Sequence, residues 1–354
     1  MKVRPGLEVL QPYTIDDREW AIKLDANERP APLPSLIQAA VRERLSGLAF
    51  NRYPDMAMRS LRQKIAAVSG LAADNVLIGN GSSELLAALC YTFGGAGRGI
   101  VYPWPSFSMY GVYAKLADSA AAPVALGEDF GVDAAAVLAA AERHSSGLII
   151  LCNPNNPTGS VIPPAVIEKI VAAAPCPVVV DEAYYEFYGQ SALPLLKQYT
   201  NLIVVRTFSK AYGLAAARVG YLLAASAIVS MVGRALLPYH VNALSLVAAE
   251  AVYDLRQELE PGIRQIIAER ERLAGELGRL PGITVYPSAT NFLLVKAVDG
   301  KRISAGLAAC GIGIRDFSAA PGLAGCLRIT VGTPAENDAV LKVMAAITQG
   351  GTAV

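Results

Sequence analysis

Histidine is scarce in this chain. Two of 354 residues, His144 and His240, carry an imidazole. That leaves no material for a histidine-rich metal centre and almost none for a Ser-His-Asp triad. Cysteine is nearly as sparse. Cys90, Cys152, Cys176, Cys310 and Cys326 are dispersed, odd in number and never spaced C-x-x-C. The pattern argues against a disulfide framework and a zinc site, so no metal is expected and the thiols read as small buried hydrophobes. An excess of either charge is missing too: 31 Lys+Arg stand against 30 Asp+Glu. No global field draws the protein to nucleic acid or to an anionic membrane. The longest apolar stretch, about 219–233, contains Ser226 and Ser230 and is flanked by Arg218 and Arg234. It is too short and broken to span a bilayer and reads as buried core. Residues 1–11 have no basic stretch followed by an apolar run, so no secretory leader is expected and a cytoplasmic protein is the default. There is no internal repeat and no low-complexity tract.

Hydrophobic residues are abundant, at 53%. That suffices for large cores, and the length favours two domains over one. The middle of the chain alternates short β-branched runs with helical patterns. Residues 75–79, 99–103, 147–152, 177–183 and 202–207 read as strands. The last three contain continuous apolar runs, as central parallel strands do. Helices are expected over about 83–93, 132–144 and 165–173. This alternation predicts an α/β domain with a mostly parallel sheet flanked by helices. After about 242 the pattern changes. One long helical stretch over 245–278 reads as a connector, and NFLLVK (291–296), a helix near 302–310, GIGIRD, CLRITVG and a closing helix from Pro334 predict a smaller α+β domain. The expected division is 30–244 for the large domain, with 1–29 and 245–354 in the small one.

Five motifs follow or end apolar runs: NPNNPTG (153–159), DEAYYEF (181–187), RTFSKAYGL (206–214), ARVGY (217–221) and CLRITVG (326–332). In open α/β sheets the residues just past strand carboxyl ends face the ligand crevice. Asp181 ends a buried run and needs a cationic or hydrogen-bonding partner. An isolated strand-end Asp more often caps a helix or joins a structural ion pair. Lys210 follows another buried run, where an apolar setting lowers an amine's pKa and makes it a nucleophile. Alone, a snorkelling surface lysine is the commoner case. The combination changes the balance. Pyridoxal phosphate (PLP) needs a lysine for a Schiff base, an acidic partner for its pyridine nitrogen, donors at its ring oxygen and a phosphate cradle. GNGSSE (79–84) follows a strand and opens a helix, as a phosphate site does, and Glu84 breaks the dinucleotide pattern G-x-G-x-x-G. Ser82 or Ser83 could equally be a plain helix cap. Ser209 and Arg218 could complete the phosphate shell. Tyr110 offers a ring for stacking or a core aromatic.

These residues resemble the fold-type I, class I/II aminotransferases. LDANE (24–28), NRYPD (51–55), GNGSSELL and LRITVGT are similar to the branch that acts on histidinol phosphate, and the likeness covers nearly the whole chain. After LDANE, that branch usually continues Asn-Pro-Tyr-Gly, where this chain has Arg29–Pro–Ala–Pro, and Ser83 stands where an acidic residue is common. The resemblance implies PLP carried by Lys210, which also shuttles the proton, and Asp181 on the pyridine nitrogen. Tyr184 and Asn156 would bond the ring oxygen, and Tyr110 would stack on the ring. Ser82, Ser83, Ser209 and Arg218 would hold the phosphate. It further implies a homodimer in which Tyr53 reaches the partner's phosphate site. Arg328 and Arg315 would bind the substrate's anionic groups, and Tyr13 and Asn291 would be further pocket positions. The substrates would be an amino donor, histidinol phosphate, and a 2-oxo acid acceptor, 2-oxoglutarate. Other readings are an aromatic or other amino-acid aminotransferase, a threonine-phosphate decarboxylase, and a PLP-binding regulator. A nicotinamide oxidoreductase is disfavoured by the failed glycine pattern.

Overall fold

The structure is a computed structural model and describes residues 7, 8, 10 and 18–349. Thirteen strands run in chain order: β1 (Ile22–Lys23), β2 (Val76–Asn80), β3 (Gly99–Trp104), β4 (Ala120–Ala125), β5 (Leu148–Cys152), β6 (Val178–Asp181), β7 (Leu202–Thr207), β8 (Val219–Ala224), β9 (Ile283–Val285), β10 (Phe292–Ala297), β11 (Ile312–Gly313), β12 (Arg315–Asp316) and β13 (Cys326–Thr330). Seven of them form one sheet in the order β2-β8-β7-β6-β5-β3-β4. Only β8 runs against its neighbours; it pairs antiparallel with both β2 and β7. The expected α/β fold, a mostly parallel sheet flanked by helices, is what the chain adopts.

Period-2 geometry explains the layers. Ile149, Leu151, Val178, Val180, Leu202 and Val204 face one core, while Leu148, Ile150, Val179, Ile203 and Val205 face another. Both faces are buried, so these strands read as unbroken apolar runs rather than alternating ones. Helices Ala134–Arg143, Pro164–Ala173 and Ala243–Asp254 cover the first face. Gly81–Phe93, Met109–Leu116 and Ser226–Gly233 cover the second.

The apolar stretch at 219–233 is therefore not one element. Its first half is β8 and its second a helix, joined at Ala225. The long helical stretch at 245–278 is likewise two helices, Ala243–Asp254 and Glu260–Leu277. The short 3-10 turn Arg256–Leu259 joins them. The second helix carries Pro261 in its first turn, where a missing N–H costs nothing. Its early residues Ile263 and Ile266 pack on the large sheet's core. Leu273 and Leu277 pack on the core of a second sheet, β12-β13-β10-β9, which is antiparallel throughout. Before residue 30, β1 pairs with β11, and Leu24 exchanges backbone bonds with Gly313 and Thr330. No helix of the described residues is long and apolar enough to cross a membrane.

Candidate active site

One edge of the seven-stranded sheet gathers the polar motifs. β6 ends on Asp181, Lys210 stands just past β7, and Asn156 lies beyond β5. Since β8 runs the other way, its beginning sits at the same edge: Val219 pairs with Asn80 and Gly220 with Thr207. Arg218, immediately before it, thus meets the start of helix Gly81–Phe93. The approach is close. Gly81 has φ +77, and a Cβ there would lie 2.6 Å from Arg218 Nη2. Arg218 itself holds φ +54, a costly backbone for a residue with a Cβ.

These segments and the second sheet enclose a cavity of about 270 Å³. Ser82, Ser83, Asn156, Asp181, Tyr184, Ser209, Lys210, Arg218, Arg315 and Arg328 all line it. Arg315 and Arg328 occupy directly opposed positions on β12 and β13. Like charges so placed repel unless an anion or another partner comes between them.

The site's acid–base character follows from burial. Desolvation lowers the Lys210 amine to about 7, helped by the nearby charge of Arg328 and opposed by Glu28. Its Nζ donates to the Ala26 carbonyl at 2.9 Å. Burial raises Asp181 to about 6, against the pull of two donors, Tyr110 Oη to Oδ2 at 2.8 Å and Ala183 N to Oδ1 at 3.2 Å. Among the described residues no cation is paired with it, and none is among the causes of its shift. Burial likewise raises the Tyr184 phenol, whose oxygen accepts from Asn27 Nδ2 at 2.8 Å. Arg328 donates from Nη1 to Asn156 Oδ1 at 2.7 Å and from Nη2 to the Asp25 carbonyl, with Phe292 and Phe317 beneath its guanidinium. Arg218 Nη1 donates to Ser209 Oγ at 3.2 Å.

Pyridoxal phosphate fits this set. The low-pKa amine can bond an aldehyde. A buried carboxylate without a cation suits a protonated pyridine nitrogen. Ser82 and Ser83 on a helix's first turn, with Ser209 and Arg218, suit a phosphate. Among the described residues no group of three or more His, Cys, Asp or Glu is placed to hold a metal ion.

Three expected residues lie elsewhere. Tyr110 does not offer its face to the cavity. It is fully buried behind the wall with its hydroxyl on Asp181, and the aromatic of this segment that lines the cavity is Phe107, packed edge-on against it at 5.5 Å. The reason is local: Tyr110 lies on the first turn of a helix that packs against the sheet, while Phe107 lies in the loop before it. Tyr53 is 80% exposed and stacked on Tyr239 at 4.4 Å, away from the cavity of its own chain. Asn291 is fully buried, donating to the Asn27 carbonyl at 3.0 Å. Tyr13 falls outside the described residues. Conversely, sequence reasoning missed Phe107, Phe317, Ser106 and Cys152, all in the lining, and the segment Asp25, Ala26 and Asn27. The LDANE motif marked that segment without indicating its contacts.

Comparison with known proteins agrees with this site. The model of the family "Aminotransferase class I and II" matches residues 21–344. A histidinol-phosphate aminotransferase from Thermoanaerobacter sp. (strain X514) is 41% identical over 96% of this chain and 97% of that protein. Another from Thermococcus gammatolerans is 40% identical, covering 96% of each. Among solved structures, a histidinol-phosphate aminotransferase from Sinorhizobium meliloti in complex with pyridoxal-5'-phosphate superimposes with a TM-score of 0.89, at 27% identity and 98% coverage of both chains. With a family model spanning most of its length and relatives this similar, the chain belongs to the class I and II aminotransferases.

Proposed function

We propose that this aminotransferase moves the amino group of histidinol phosphate to 2-oxoglutarate, with pyridoxal phosphate held on Lys210. The names of its 40–41% identical relatives support the donor. The observation that carries the reading is the facing pair Arg315 and Arg328 at a cavity that also holds Lys210. Two adjacent guanidiniums suit a phosphate on the donor and a carboxylate on the acceptor.

Bound pyridoxal phosphate supplies an electron sink that acidifies the donor's Cα–H. Asp181 would pair with the ring nitrogen and keep it protonated. Tyr184 and Asn156 would bond the ring oxygen, and Phe107 would take the stacking role expected of Tyr110. Ser82, Ser83, Ser209 and Arg218 would hold the phosphate. The Lys210 amine would take the Cα proton as base and return it as acid. An amine lowered to about 7 is ready for both tasks near neutral pH. Asn291 serves from behind by holding Asn27, and Tyr13 remains a candidate pocket residue.

We read the exposed aromatics Phe50, Tyr53 and Tyr239, with Met56 and Leu237, as a homodimer face from which Tyr53 reaches the partner's phosphate site. A cytoplasmic location accords with a biosynthetic role. For the domains, residues 30–244 form the large unit, and 1–29 with 245–354 the small one; helix Glu260–Leu277 runs between them, with Ile263 and Ile266 packed on one core and Leu273 and Leu277 on the other.

The test is a donor panel with 2-oxoglutarate: histidinol phosphate, phenylalanine, tyrosine and threonine phosphate, with borohydride trapping and peptide mapping of the cofactor. Fastest turnover of histidinol phosphate and an adduct on Lys210 are expected. Comparable rates on aromatic amino acids with none on histidinol phosphate would refute the donor, and CO2 release from threonine phosphate would refute transamination.

A further inference from the structure

The segment from Leu24 to Arg29 crosses the cavity wall and touches three lining residues, and Asn291 behind them. The Asp25 carbonyl accepts from Arg328, the Ala26 carbonyl from Lys210, and Asn27 Nδ2 donates to Tyr184 while its carbonyl accepts from Asn291. Asn27 holds φ +55, a left-handed conformation that asparagine tolerates better than most residues with a Cβ. The front end is fixed by backbone bonds of Leu24 to Gly313 and Thr330, and by Asn27 N to Thr330 Oγ1 at 3.0 Å.

Arg29 fixes the rear. Its Nη1 donates to the Ala211 carbonyl at 3.1 Å, one residue past Lys210. Its stem runs over Gly213, where a Cβ would lie 3.0 Å from Arg29 Cδ. A Cβ on Gly262, in helix Glu260–Leu277, would overlap Arg29 Nη2. Two glycines therefore make a slot for one guanidinium. No ion pair of Arg29 with a carboxylate is present among the described residues, and burial alone lowers its pKa. Charge pairing does not explain a half-buried cation here; the fit between the Lys210 turn and the helix does.

We propose that Arg29 is a positioning residue that clips the segment 24–29 to the turn carrying Lys210, so that the Ala26 carbonyl meets the Lys210 amine. The proposal rests on the reading of Lys210 as the reactive amine.

Two variants that keep the charge test it. Arg29→Lys loses the planar fork. Gly262→Ala leaves Arg29 intact but fills its slot, and alanine favours the helix over glycine, so folding is retained. The readout is the pH dependence of Lys210 modification by trinitrobenzenesulfonate in the full-length, cofactor-stripped protein, followed by peptide mass spectrometry. Arg328, Glu28, Arg218 and Lys23 are the charged groups with the largest effect on Lys210, and neither variant alters them. An ammonium that loses its carbonyl acceptor is a stronger acid, so the midpoint falls by about half a pH unit in both variants. Midpoints within about 0.2 of wild type in the folded variants would overturn the proposal. So would a loss of folding in both, which would make Arg29 a structural residue only. If Arg29→Lys alone fails to fold, Gly262→Ala decides. Absence of a borohydride adduct on Lys210 in wild type would defeat the functional reading separately, since amine modification needs no cofactor.

Discussion

Asp181→Asn should stabilise the cofactor-free protein at neutral pH. Asp181 is 3% exposed, and burial raises its carboxyl from the ordinary 3.8 to about 6. An acid whose pKa is higher in the folded state favours folding fully only below its unfolded value. That advantage is lost as pH rises from about 4 through about 6. Above pH 6 the folded chain carries a buried carboxylate at a cost of about 3 kcal/mol, the equivalent of the shift. Asparagine has no charge to bury, and its amide oxygen can still accept from Tyr110. The variant should therefore gain about 1–3 kcal/mol at pH 7.5, a rise in Tm of about 1–4 °C for a chain of this length, and the gain should shrink toward zero near pH 4. Thermal melts of both proteins stripped of cofactor, at pH 7.5 and pH 4, read this directly. Saturating pyridoxal phosphate should reverse the order, because only aspartate can pair with a protonated ring nitrogen. A variant less stable than wild type at pH 7.5, or a gap that does not close in acid, would refute the account of Asp181 as a carboxylate held ready for a cation.

Other perturbations have equally definite outcomes. Tyr110→Phe removes a donor from the Asp181 carboxylate and should raise its pKa by about one further unit; cofactor affinity, titrated by absorbance, should then fall through about pH 7 rather than about pH 6. Arg328→Ala should raise KM for the phosphorylated donor about 30-fold, the equivalent of about 2 kcal/mol of charge-assisted hydrogen bonding, with a far smaller change in Lys210 trapping. Arg206→Leu should destabilise the fold by about 3–5 kcal/mol in denaturant melts, because it strands Glu182 with its charge buried. The two pair at 2.9 Å with side-chain exposures of 7% and 0%. The double variant with Glu182→Leu should recover most of that loss.

The parts of the molecule that could be read from sequence share a physical cause. Strands such as Leu148–Cys152 and Leu202–Thr207 are buried on both faces, so burial alone writes them as apolar runs. The polar residue at which such a run stops then marks the sheet edge, which is why Asp181, Lys210 and Asn156 could be placed together. β4, AAAPVA, escaped because it lies at the outer edge of the sheet, where small residues and a proline are tolerated. Tyr110 was misplaced because composition cannot tell which of two aromatics three residues apart turns inward at a loop-to-helix junction. The split of 245–278 was hidden because propensity continues through it, and only the second core shows where the chain changes allegiance.

The least legible contacts are those that cross between the two sheets at the cavity. Arg328 sits on the small antiparallel sheet yet donates to Asn156 beyond β5 of the large one. Tyr184 follows β6 yet accepts from Asn27, whose neighbour Leu24 is bonded to the strand region of the small sheet. Sequence distances here run from 157 to 303 residues, far beyond any local pattern. Each contact is polar, short and partly or wholly buried, so each loses more when broken than an exposed hydrogen bond would. The cavity thus has its amine and carboxylate on one sheet and Arg315 and Arg328 on the other. Motion between the two would alter the spacing of Lys210 and Arg328, and with it the reach from a donor's amine to its anionic end. Segment 24–29 touches both sheets, as does the direct Arg328–Asn156 hydrogen bond.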